Sequence, residues 1–394
     1  MEKIGIYGGT FNPLHTGHLH GAKQAIKTLG LDKLILIPDC IAPHKQMPEG
    51  SAAPEQRLEM LRIATKNEPE MEVSDIELKR EGKSYTYLTV EQLHGLYPNA
   101  KLYLLMGTDM FISFQNWVEP ERITAHATLA VMYRGEKGEA EAIDAAKAQM
   151  EAQGVEVELV KNDAINISST QLRRLLAFQC AGPFLPEGVY DYIRSQGLYD
   201  STADWKNLSM EELEAVVVRL LHPNRVAHVL GCRDTAAEMA KRWGVDEEDA
   251  ARAGLLHDIT KAIDGPLQLT LCSEYGTILS EFGQRHPKTL HALTGSLVAD
   301  RIFGENDAVV SAICHHTTGK GDMTTLEKII YVADYMEPCR NFPGVEELRR
   351  LAFSDLDGAL RLGLEMTIEN LISRKLEISP ESREALDWLN EHEK

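Results

Sequence analysis

The hydrophobic pattern of the chain changes near residue 200, and this change constrains the fold more than any other feature. Up to about residue 199, short apolar runs alternate with amphipathic stretches. Such alternation predicts a doubly wound parallel α/β sheet with helices on both faces. From about residue 208, apolar residues recur at three-to-four spacing, which predicts an all-α second half.

The apolar runs and the domain limits follow from this pattern. The predicted strands are IGIY (4–7), KLILIP (33–38), KLYLLMG (101–107), TLAVMY (128–133) and VEVELV (155–160). A chain of 394 residues is long enough for two or three domains at roughly 150 residues each. We expect a first domain over 1–199, a polar linker over 200–207 and a second domain over 208–394.

Charge and cysteine usage exclude several classes of protein. The chain carries 41 basic and 60 acidic residues, a formal net charge of −19. Such an excess repels phosphate over most of the surface, so neither a nucleic acid nor a membrane is an expected partner. The six cysteines are scattered without a CxxC pair, and no window offers the ~18 apolar residues of a membrane span. We expect a cytoplasmic protein without a secretory leader.

A glycine-rich motif follows the first predicted strand. GGTFNPLHTGH (8–18) opens a helix, and Gly8 and Gly9 allow the backbone to approach a ligand closely. Free amides at the start of that helix favour phosphate. His15 and His18 are three residues apart, so both imidazoles face one side of the turn and could donate hydrogen bonds to phosphate oxygens. The simpler interpretation is a strand–turn–helix connection with surface histidines.

A second candidate phosphate site is ISSTQLRRLL (167–176). Ser168 followed by Gln171 is an ordinary capping box. A helix start rich in hydroxyl groups, with Arg173 one turn further on, also suits a polyphosphate.

The two motifs together resemble the signature pair of the nucleotidyltransferase superfamily with the HxGH core. Four further segments resemble bacterial nicotinate-nucleotide adenylyltransferases: PHK (43–45), SYTYLTVEQL (84–93), GTDMFISFQNW (107–117) and YIRSQGLY (192–199). The resemblance covers the first half of the chain. It implies a Rossmann-like nucleotidyltransferase that transfers AMP from ATP to nicotinate mononucleotide, forming deamido-NAD and pyrophosphate. The incoming phosphate attacks directly, so catalysis needs positioning and charge stabilisation.

The same resemblance implies roles for individual residues. His15 and His18 would bind the ATP phosphates, with magnesium on the leaving pyrophosphate. The residues implied to hold the triphosphate are Ser169, Thr170 and Arg173, next to Ser168. Those implied to line the nucleotide are Gly8, Thr10 and Phe11, with Gly107 and Asp109 at the adenosine ribose.

Three more residues complete the implied site. Trp117 would stack on the nicotinate ring, and Thr86 would read its carboxylate. Lys45 would add positive charge over the phosphates. Trp117 could instead be a core aromatic residue, and Lys45 a solvated lysine.

The second half contains metal-coordinating side chains on separate apolar segments. They are His228 in RVAHVLG, His257 and Asp258 in AARAGLLHDITKAI, His291 in TLHALTG, His316 in ICHHTTG and Asp334 in KIIYVADYMEP. A His–Asp pair within an apolar helix is costly unless it is paired or bound to metal. Imidazoles and carboxylates favour a binuclear site of iron, manganese or cobalt over a thiolate-rich zinc site.

The order H…HD…H…H…D is that of the HD phosphohydrolase superfamily, and the segments most resemble its symmetrical diadenosine tetraphosphate hydrolases. The resemblance implies a di-metal centre, with iron as the first candidate, in which Asp258 is the bridging carboxylate. Lys261 would bind phosphate or protonate the leaving group, and Arg340 would neutralise the polyphosphate. His315 adjoins His316, and the expected helical register favours His316 as the ligand.

The sequence therefore predicts a fusion of two enzymes acting on ATP, nicotinate mononucleotide and diadenosine tetraphosphate. Alternatives remain open. The HD half could be a nucleotide-sensing module or could cleave another nucleotide, and the transferase could prefer nicotinamide mononucleotide. The sequence also leaves open a homo-oligomer and any coupling of the two activities.

Overall fold

The computed structural model describes residues 1–40, 47–135, 138–163 and 167–392. Its contacts divide the chain into two units, Met1–Ala203 and Asp204–Lys394. Among the described residues, no helix is long and apolar enough to cross a membrane.

One parallel sheet of six strands forms the centre of the first unit, in the order β3-β2-β1-β4-β5-β6. The strands are β1 (Lys3–Gly9), β2 (Lys33–Pro38), β3 (Met71–Val73), β4 (Lys101–Gly107), β5 (Ala127–Tyr133) and β6 (Val157–Lys161). Because β1 pairs with β2 and β4, Ile6 lies beside Ile35 on one side and Leu104 on the other. The strand order reverses at β1 and β4, where parallel sheets open a cleft beyond the carboxyl ends of their strands.

Helices cover both faces of this sheet. They are α1 (Thr16–Leu29), α2 (Pro54–Thr65), α3 (Thr86–Leu96), α4 (Thr108–Ile112), α5 (Pro120–Thr124), α6 (Glu139–Glu151), α7 (Ser169–Ala177) and α8 (Val189–Ser195). Two separate apolar cores, one led by Ile4 and Ile6 and the other by Leu34 and Leu36, lie on opposite faces of the sheet. Burial on both faces explains why β2 and β4 are almost continuously apolar in sequence.

The described part of the second unit consists of helices without a strand. They are α9 (Met210–Leu220), α10 (Pro223–Trp243), α11 (Glu247–Leu256), α12 (Gly265–Glu274), α13 (Glu281–Arg285), α14 (His291–Val298), α15 (Asp307–His315), α16 (Thr325–Met336), α17 (Val345–Ala352), α18 (Leu356–Ser373) and α19 (Pro380–Glu391). A π-helical turn, Ala299–Phe303, follows α14. The predicted fold class, a doubly wound α/β sheet followed by an all-α domain, is confirmed.

The structure differs from the sequence-based expectation at two elements. Strand β3 was not predicted, because three residues are too short to give an alternating pattern. Helix α11 was expected to continue beyond His257 but ends at Leu256. The chain then tightens into turns closed by hydrogen bonds three residues apart, such as Lys261 N to Asp258 O. This tightening sets Asp258 at the end of the helix, where its side chain enters the interior.

Trp205, within the predicted linker, belongs to the core of the second unit. Its side chain is buried, and its ring stacks on Phe303 with 5.5 Å between the centroids. Part of the predicted linker is therefore packed rather than free.

Gly254 controls how closely α10 and α11 pack. A Cβ atom at this position would lie 2.9 Å from Arg233 Cα and 3.1 Å from Cys232 O, both of which are backbone atoms of α10. Neither atom can rotate away, so only a glycine permits this separation of the two helices.

We predict that Gly254→Ala destabilises the second unit by about 2 kcal/mol, because overpacking outweighs the better helix propensity of alanine. The measurement is calorimetric unfolding of the intact chain. Gly95→Ala in α3 is the control, since a Cβ there meets no atom within 4 Å. An unchanged or raised midpoint for Gly254→Ala would show that the helices tolerate the added methyl group.

Candidate active sites

A cavity of about 710 Å³ opens at the carboxyl ends of β1 and β4. It lies where the strand order reverses, as expected for a ligand site in a doubly wound sheet. Sequence-predicted residues that line it are Gly8, Gly9, Thr10, Phe11, His18, Thr86, Gly107 and Trp117. Trp117 is half-buried and packs against one apolar core of the sheet, with 5.3 Å between the centroids of its ring and that of Phe114.

The other predicted residues of the first unit lie outside the lining of this cavity. Asp109 is exposed in the first turn of α4. Ser168 caps α7 through a capping box with Gln171, as predicted. Thr170 Oγ1 accepts a hydrogen bond from Arg173 at 3.0 Å. Lys45 falls outside the described residues.

The two histidines of the first motif cap one another at the start of α1. The backbone N–H of His18 donates to His15 Nδ1 at 3.3 Å, and that of His15 donates to His18 Nδ1 at 3.2 Å. Each Nδ1 is therefore an acceptor, so a neutral ring carries its proton on Nε2. Burial lowers the pKa of His18 to about 3 and that of His15 well below its usual value, which keeps both rings neutral. The site thus presents fixed Nε2–H donors.

A buried ion pair holds the motif loop, which we define as residues 10–15. Arg57, which is 1% exposed, pairs with Asp39 Oδ1 at 2.9 Å and donates to the backbone carbonyl oxygens of Thr10 and Asp39. The Thr10 hydroxyl donates to Asp39 Oδ2 at 2.8 Å. Sequence reasoning missed Arg57, because its helix position alone does not distinguish it from a surface arginine.

Two other parts of the chain also hold the motif loop. Ser169 Oγ donates to Pro13 O at 3.0 Å, and Arg173 donates to Asn12 O at 2.7 Å. The buried Tyr199 hydroxyl donates to Asn12 Oδ1 at 2.8 Å. The predicted triphosphate residues Ser169 and Arg173 therefore contact the loop backbone directly in this structure.

A buried carboxyl group in the lining of the cavity, that of Glu77, was also missed by sequence reasoning. Glu77 accepts a hydrogen bond from Thr89 Oγ1 at 2.6 Å, and Arg80 donates to the same hydroxyl at 2.8 Å. Burial raises the pKa of Glu77. Glu77 also contacts Ser84, so the network anchors a segment that lines the cavity.

In the second unit, Asp258 lies between two groups of imidazoles. Its Oδ2 atom is 3.6 Å from the Nε2 atoms of both His228 and His257. Its Oδ1 atom is 3.5 Å from Nε2 of His291 and 3.9 Å from Nε2 of His316. We call His228, His257 and Asp334 the first group, and His291 and His316 the second group.

Asp334 completes the first group. Its Oδ1 atom lies 3.2 Å from Nε2 of His228 and 3.8 Å from Nε2 of His257. The ligand atoms of these three residues lie within 4.8 Å of one another, and the same holds for His257, Asp258 and His316. The structure thus brings all six predicted metal ligands together, from segments spread over more than 100 residues.

Hydrogen bonds at Nδ1 orient every imidazole of the cluster. The acceptors are the carbonyl oxygens of Gly254 for His257 (2.7 Å), Lys288 for His291 (3.0 Å) and Ile313 for His316 (2.7 Å), and the Glu337 carboxylate for His228 (3.0 Å). Carbonyl and ionised carboxylate oxygens only accept, so each Nδ1 carries the proton. In a neutral ring with its proton on Nδ1, the Nε2 atom presents a lone pair, as in metal-ligating histidines.

The cluster fits a divalent metal because imidazole Nε2 atoms that carry lone pairs lie close together without a proton between them. The Nε2 atoms of His228 and His257 lie only 3.2 Å apart. Two lone pairs at that distance repel unless a proton or a cation lies between them. Burial lowers the pKa of His257 well below its usual value, which disfavours the proton. Asp258 Oδ2 is also buried beside these lone pairs, where the Arg225 guanidinium already supplies one positive charge.

Three cationic side chains surround this cluster. Arg225 pairs with Asp258 Oδ2, and Arg340 pairs with Asp334 Oδ1 at 2.5 Å. Lys261 Nζ lies 2.8 Å from His291 Nε2 and 3.9 Å from Asp258 Oδ1, and burial lowers the pKa of Lys261 to about 8. Together they give the rim of the cluster positive charge.

Sequence reasoning missed Arg225 and Glu337. Each lies three residues from a predicted ligand, Arg225 before His228 and Glu337 after Asp334, so spacing on a shared helix face could have indicated both. His316, not the adjacent His315, contributes to the cluster. His315 faces a separate cavity of about 190 Å³ lined by Ser280, Phe282 and other residues.

The fold and these sites place the chain in a class. Residues 6–175 match the family described as Cytidylyltransferase-like, and residues 225–339 match the HD domain family. The chain therefore consists of a nucleotidyltransferase-type α/β unit followed by an HD domain.

Comparison with relatives identifies the family more closely. A protein of Neisseria meningitidis serogroup B, named a probable nicotinate-nucleotide adenylyltransferase, is 34% identical over 206 residues, which are 51% of this chain and all of the relative. A Mycoplasma pneumoniae protein, named a probable nicotinate-nucleotide adenylyltransferase/Ap4A hydrolase, is 28% identical over 85% of this chain and 88% of its own length. The chain belongs to the nicotinate-nucleotide adenylyltransferase family, and the resemblance predicted from the sequence is confirmed.

Two solved structures resemble the separate halves. A predicted HD superfamily hydrolase involved in NAD metabolism from Clostridium acetobutylicum is 36% identical, with a TM-score of 0.46 over 47% of this chain and 99% of that one. The Plasmodium falciparum nicotinic acid mononucleotide adenylyltransferase complexed with NaAD is 20% identical, with a TM-score of 0.43 over 51% of this chain and 99% of that one.

We predict that Arg57→Met destabilises the first unit by about 3 kcal/mol, because the partly buried Asp39 loses its cation. Arg62→Met is a matched control on the same helix, since the Arg62 side chain is 53% exposed and its pair with Glu59 spans 3.6 Å. Denaturant unfolding of the intact chain measures both changes. Equal midpoints for the two variants would contradict a structural role for the Arg57 ion pair.

Proposed function

We propose that the first unit transfers the adenylyl group of ATP to nicotinate mononucleotide. The observation that carries this proposal is the reciprocal capping of His15 and His18, which fixes neutral Nε2–H donors beside the cavity. Donors fixed in advance stabilise charge that develops on phosphate oxygens in the transition state. The names of the Neisseria and Mycoplasma relatives support this substrate pair.

The reaction needs no nucleophile from the protein. A phosphate oxygen of the mononucleotide bonds to the α-phosphorus of ATP, and the bond to the bridging oxygen breaks to release pyrophosphate. His15 and His18 would contact the triphosphate, and magnesium would neutralise the leaving pyrophosphate. Trp117 would stack on the pyridine ring, beside Thr86, while Gly107 and Asp109 would contact the ribose. Arg57, Ser169 and Arg173 keep the motif loop in place for these contacts.

We predict that His18→Ala lowers kcat for adenylyl transfer by about 100-fold, through loss of one fixed donor. The assay supplies ATP with nicotinate mononucleotide and measures pyrophosphate and deamido-NAD. His20→Ala on the same helix is the control, because His20 contacts Gln24 and does not line the cavity.

Two outcomes would contradict the transferase proposal. Equal activity of His18→Ala and His20→Ala would show that His18 does not contribute to adenylyl transfer. Competition between the two mononucleotides tests the substrate, and a preference for nicotinamide mononucleotide would overturn the nicotinate assignment.

We propose further that the HD unit hydrolyses diadenosine tetraphosphate at a di-metal centre. The observation that carries this is Asp258, whose two oxygens face separate groups of imidazole lone pairs. His228, His257 and Asp334 would hold one cation, His291 and His316 the other, and Asp258 would bridge them. Two divalent cations would supply Lewis acidity for the phosphoryl group. They would also lower the pKa of bound water, so that hydroxide is available at neutral pH. Iron, manganese and cobalt all accept this donor set. We favour iron because the resemblance to the HD-type hydrolases implies it.

The cationic rim would bind the polyphosphate. Arg225 and Arg340 would neutralise its oxygens, and Lys261 would bind phosphate or protonate the departing ADP. In symmetrical cleavage, a water oxygen bonds to a central phosphorus and the bridging bond breaks, which gives two molecules of ADP. The name of the Mycoplasma relative supports this substrate.

We predict that Asp258→Ala abolishes hydrolysis of diadenosine tetraphosphate while adenylyl transfer by the intact chain continues. The protein is purified anaerobically and assayed with ferrous iron or manganese, and the products are separated by chromatography. Asp387→Ala, at an exposed position of α19, is the control and should retain both activities. ADP alone would support symmetrical cleavage, whereas ATP with AMP would overturn it. No turnover with any metal would favour a nucleotide-sensing module.

A further inference from the structure

A threonine hydroxyl lies beside the second group of imidazoles, where neither the sequence nor the family resemblance places a ligand. Thr317 Oγ1 is 3.1 Å from Nε2 of His291 and 3.1 Å from Nε2 of His316. Thr317 follows His316 in the chain, after the end of α15, so its position is set by the same turn that orients that ligand.

Counting protons shows that the Thr317 hydroxyl cannot make a hydrogen bond at both of its imidazole contacts. His291 and His316 both donate from Nδ1 to backbone carbonyl oxygens, so both Nε2 atoms are acceptors. The Thr317 hydroxyl has a single proton and can donate it to one of them. At the other contact, an oxygen lone pair faces a nitrogen lone pair at 3.1 Å, an arrangement that a cation would stabilise.

We propose that Thr317 Oγ1 is an oxygen ligand of the second metal position, together with His291, His316 and Asp258 Oδ1. This inference rests on the proposed metal-dependent function of the HD unit. Threonine hydroxyls bind divalent metals elsewhere in proteins, as in phosphate-binding loops.

The distances from Thr317 Oγ1 and Asp258 Oδ1 to both imidazoles are compatible with one coordination sphere. With metal–ligand bonds of about 2.1 Å, neighbouring ligands at right angles lie about 3 Å apart and opposite ligands about 4.2 Å apart. Thr317 Oγ1 meets the first value with both imidazoles. Asp258 Oδ1, at 3.5 and 3.9 Å from the same two nitrogens, lies between the two values.

The local charge agrees with a cation at this position. The Lys261 ammonium lies 2.8 Å from His291 Nε2 and 3.9 Å from Asp258 Oδ1. A positive group therefore already contacts two of the four atoms. A metal bound there would displace Lys261 Nζ from His291 and leave it available to a phosphate.

Thr318 provides a matched control on the adjacent residue. Its hydroxyl donates to Gly319 O at 3.2 Å, and its side chain lines the separate cavity that His315 faces. The same substitution at Thr318 therefore changes a threonine of similar exposure without touching the cluster.

The experiment titrates the intact chain with Co²⁺ and follows both the binding isotherm and the visible absorption of the bound ion. The variants are Thr317→Val, which removes the hydroxyl at constant shape, Thr317→Ser, which keeps it, and Thr318→Val. Asp258→Ala gives the background of binding elsewhere on this acidic chain. No substrate is present, so the readout is independent of catalysis.

We expect Thr317→Val to weaken the binding of the second equivalent of Co²⁺ by about 10-fold or more. This is the loss of affinity typical when a group near a bound metal is changed. Its absorption should intensify as the coordination number falls, and the first equivalent should bind unchanged. Thr317→Ser and Thr318→Val should match the wild type. Wild-type affinity and spectrum in Thr317→Val would overturn this inference alone, whereas a wild type that binds no Co²⁺ above the Asp258→Ala background would overturn the metal-dependent function as well.

Discussion

A carboxylate removed from water must be compensated by cations or hydrogen-bond donors, and each unit of this chain is organised around one such group. In the first unit, Arg57 compensates Asp39 and in doing so holds the motif loop at the end of β1. In the second unit, Asp258 is 1% exposed and is compensated by Arg225, with four imidazoles turned towards it. Removing either carboxylate would leave the surrounding groups without the charge that orders them.

The two units orient their imidazoles in opposite ways. The first unit keeps its imidazoles neutral and gives each an Nε2 proton, because backbone N–H groups occupy both Nδ1 atoms. The second unit does the opposite, since carbonyl and carboxylate oxygens take the Nδ1 protons and leave each Nε2 as a lone pair. Donors suit the phosphates of a nucleotide, and lone pairs suit a cation. The partner of Nδ1 thus decides whether each site presents hydrogen-bond donors or lone pairs.

Several parts of the structure could be predicted from the sequence because they depend on local rules. The strands Lys33–Pro38 and Lys101–Gly107 were predicted to the residue, since buried parallel strands are continuously apolar. The capping box at Ser168 was also predicted, because it depends only on Ser168 and Gln171, three residues apart. The end of α11 was not, because the apolar spacing continues beyond His257 while the turns that follow depend on contacts made elsewhere, such as the hydrogen bond from Thr260 to His291 O.

The sequence by itself determined the two fold classes and the residue types of both sites, because periodicity and motif spacing are properties of neighbouring residues. Only the tertiary structure decided which side chains serve those sites from a distance. Arg57 and Thr317 have no distinguishing local pattern, and each contacts its site through a partner on another element or in the turn that it shares. The physical reason is that a buried charge is compensated by groups that are close in space but distant in sequence. The sequence therefore shows the charged residue but not the residue that compensates it.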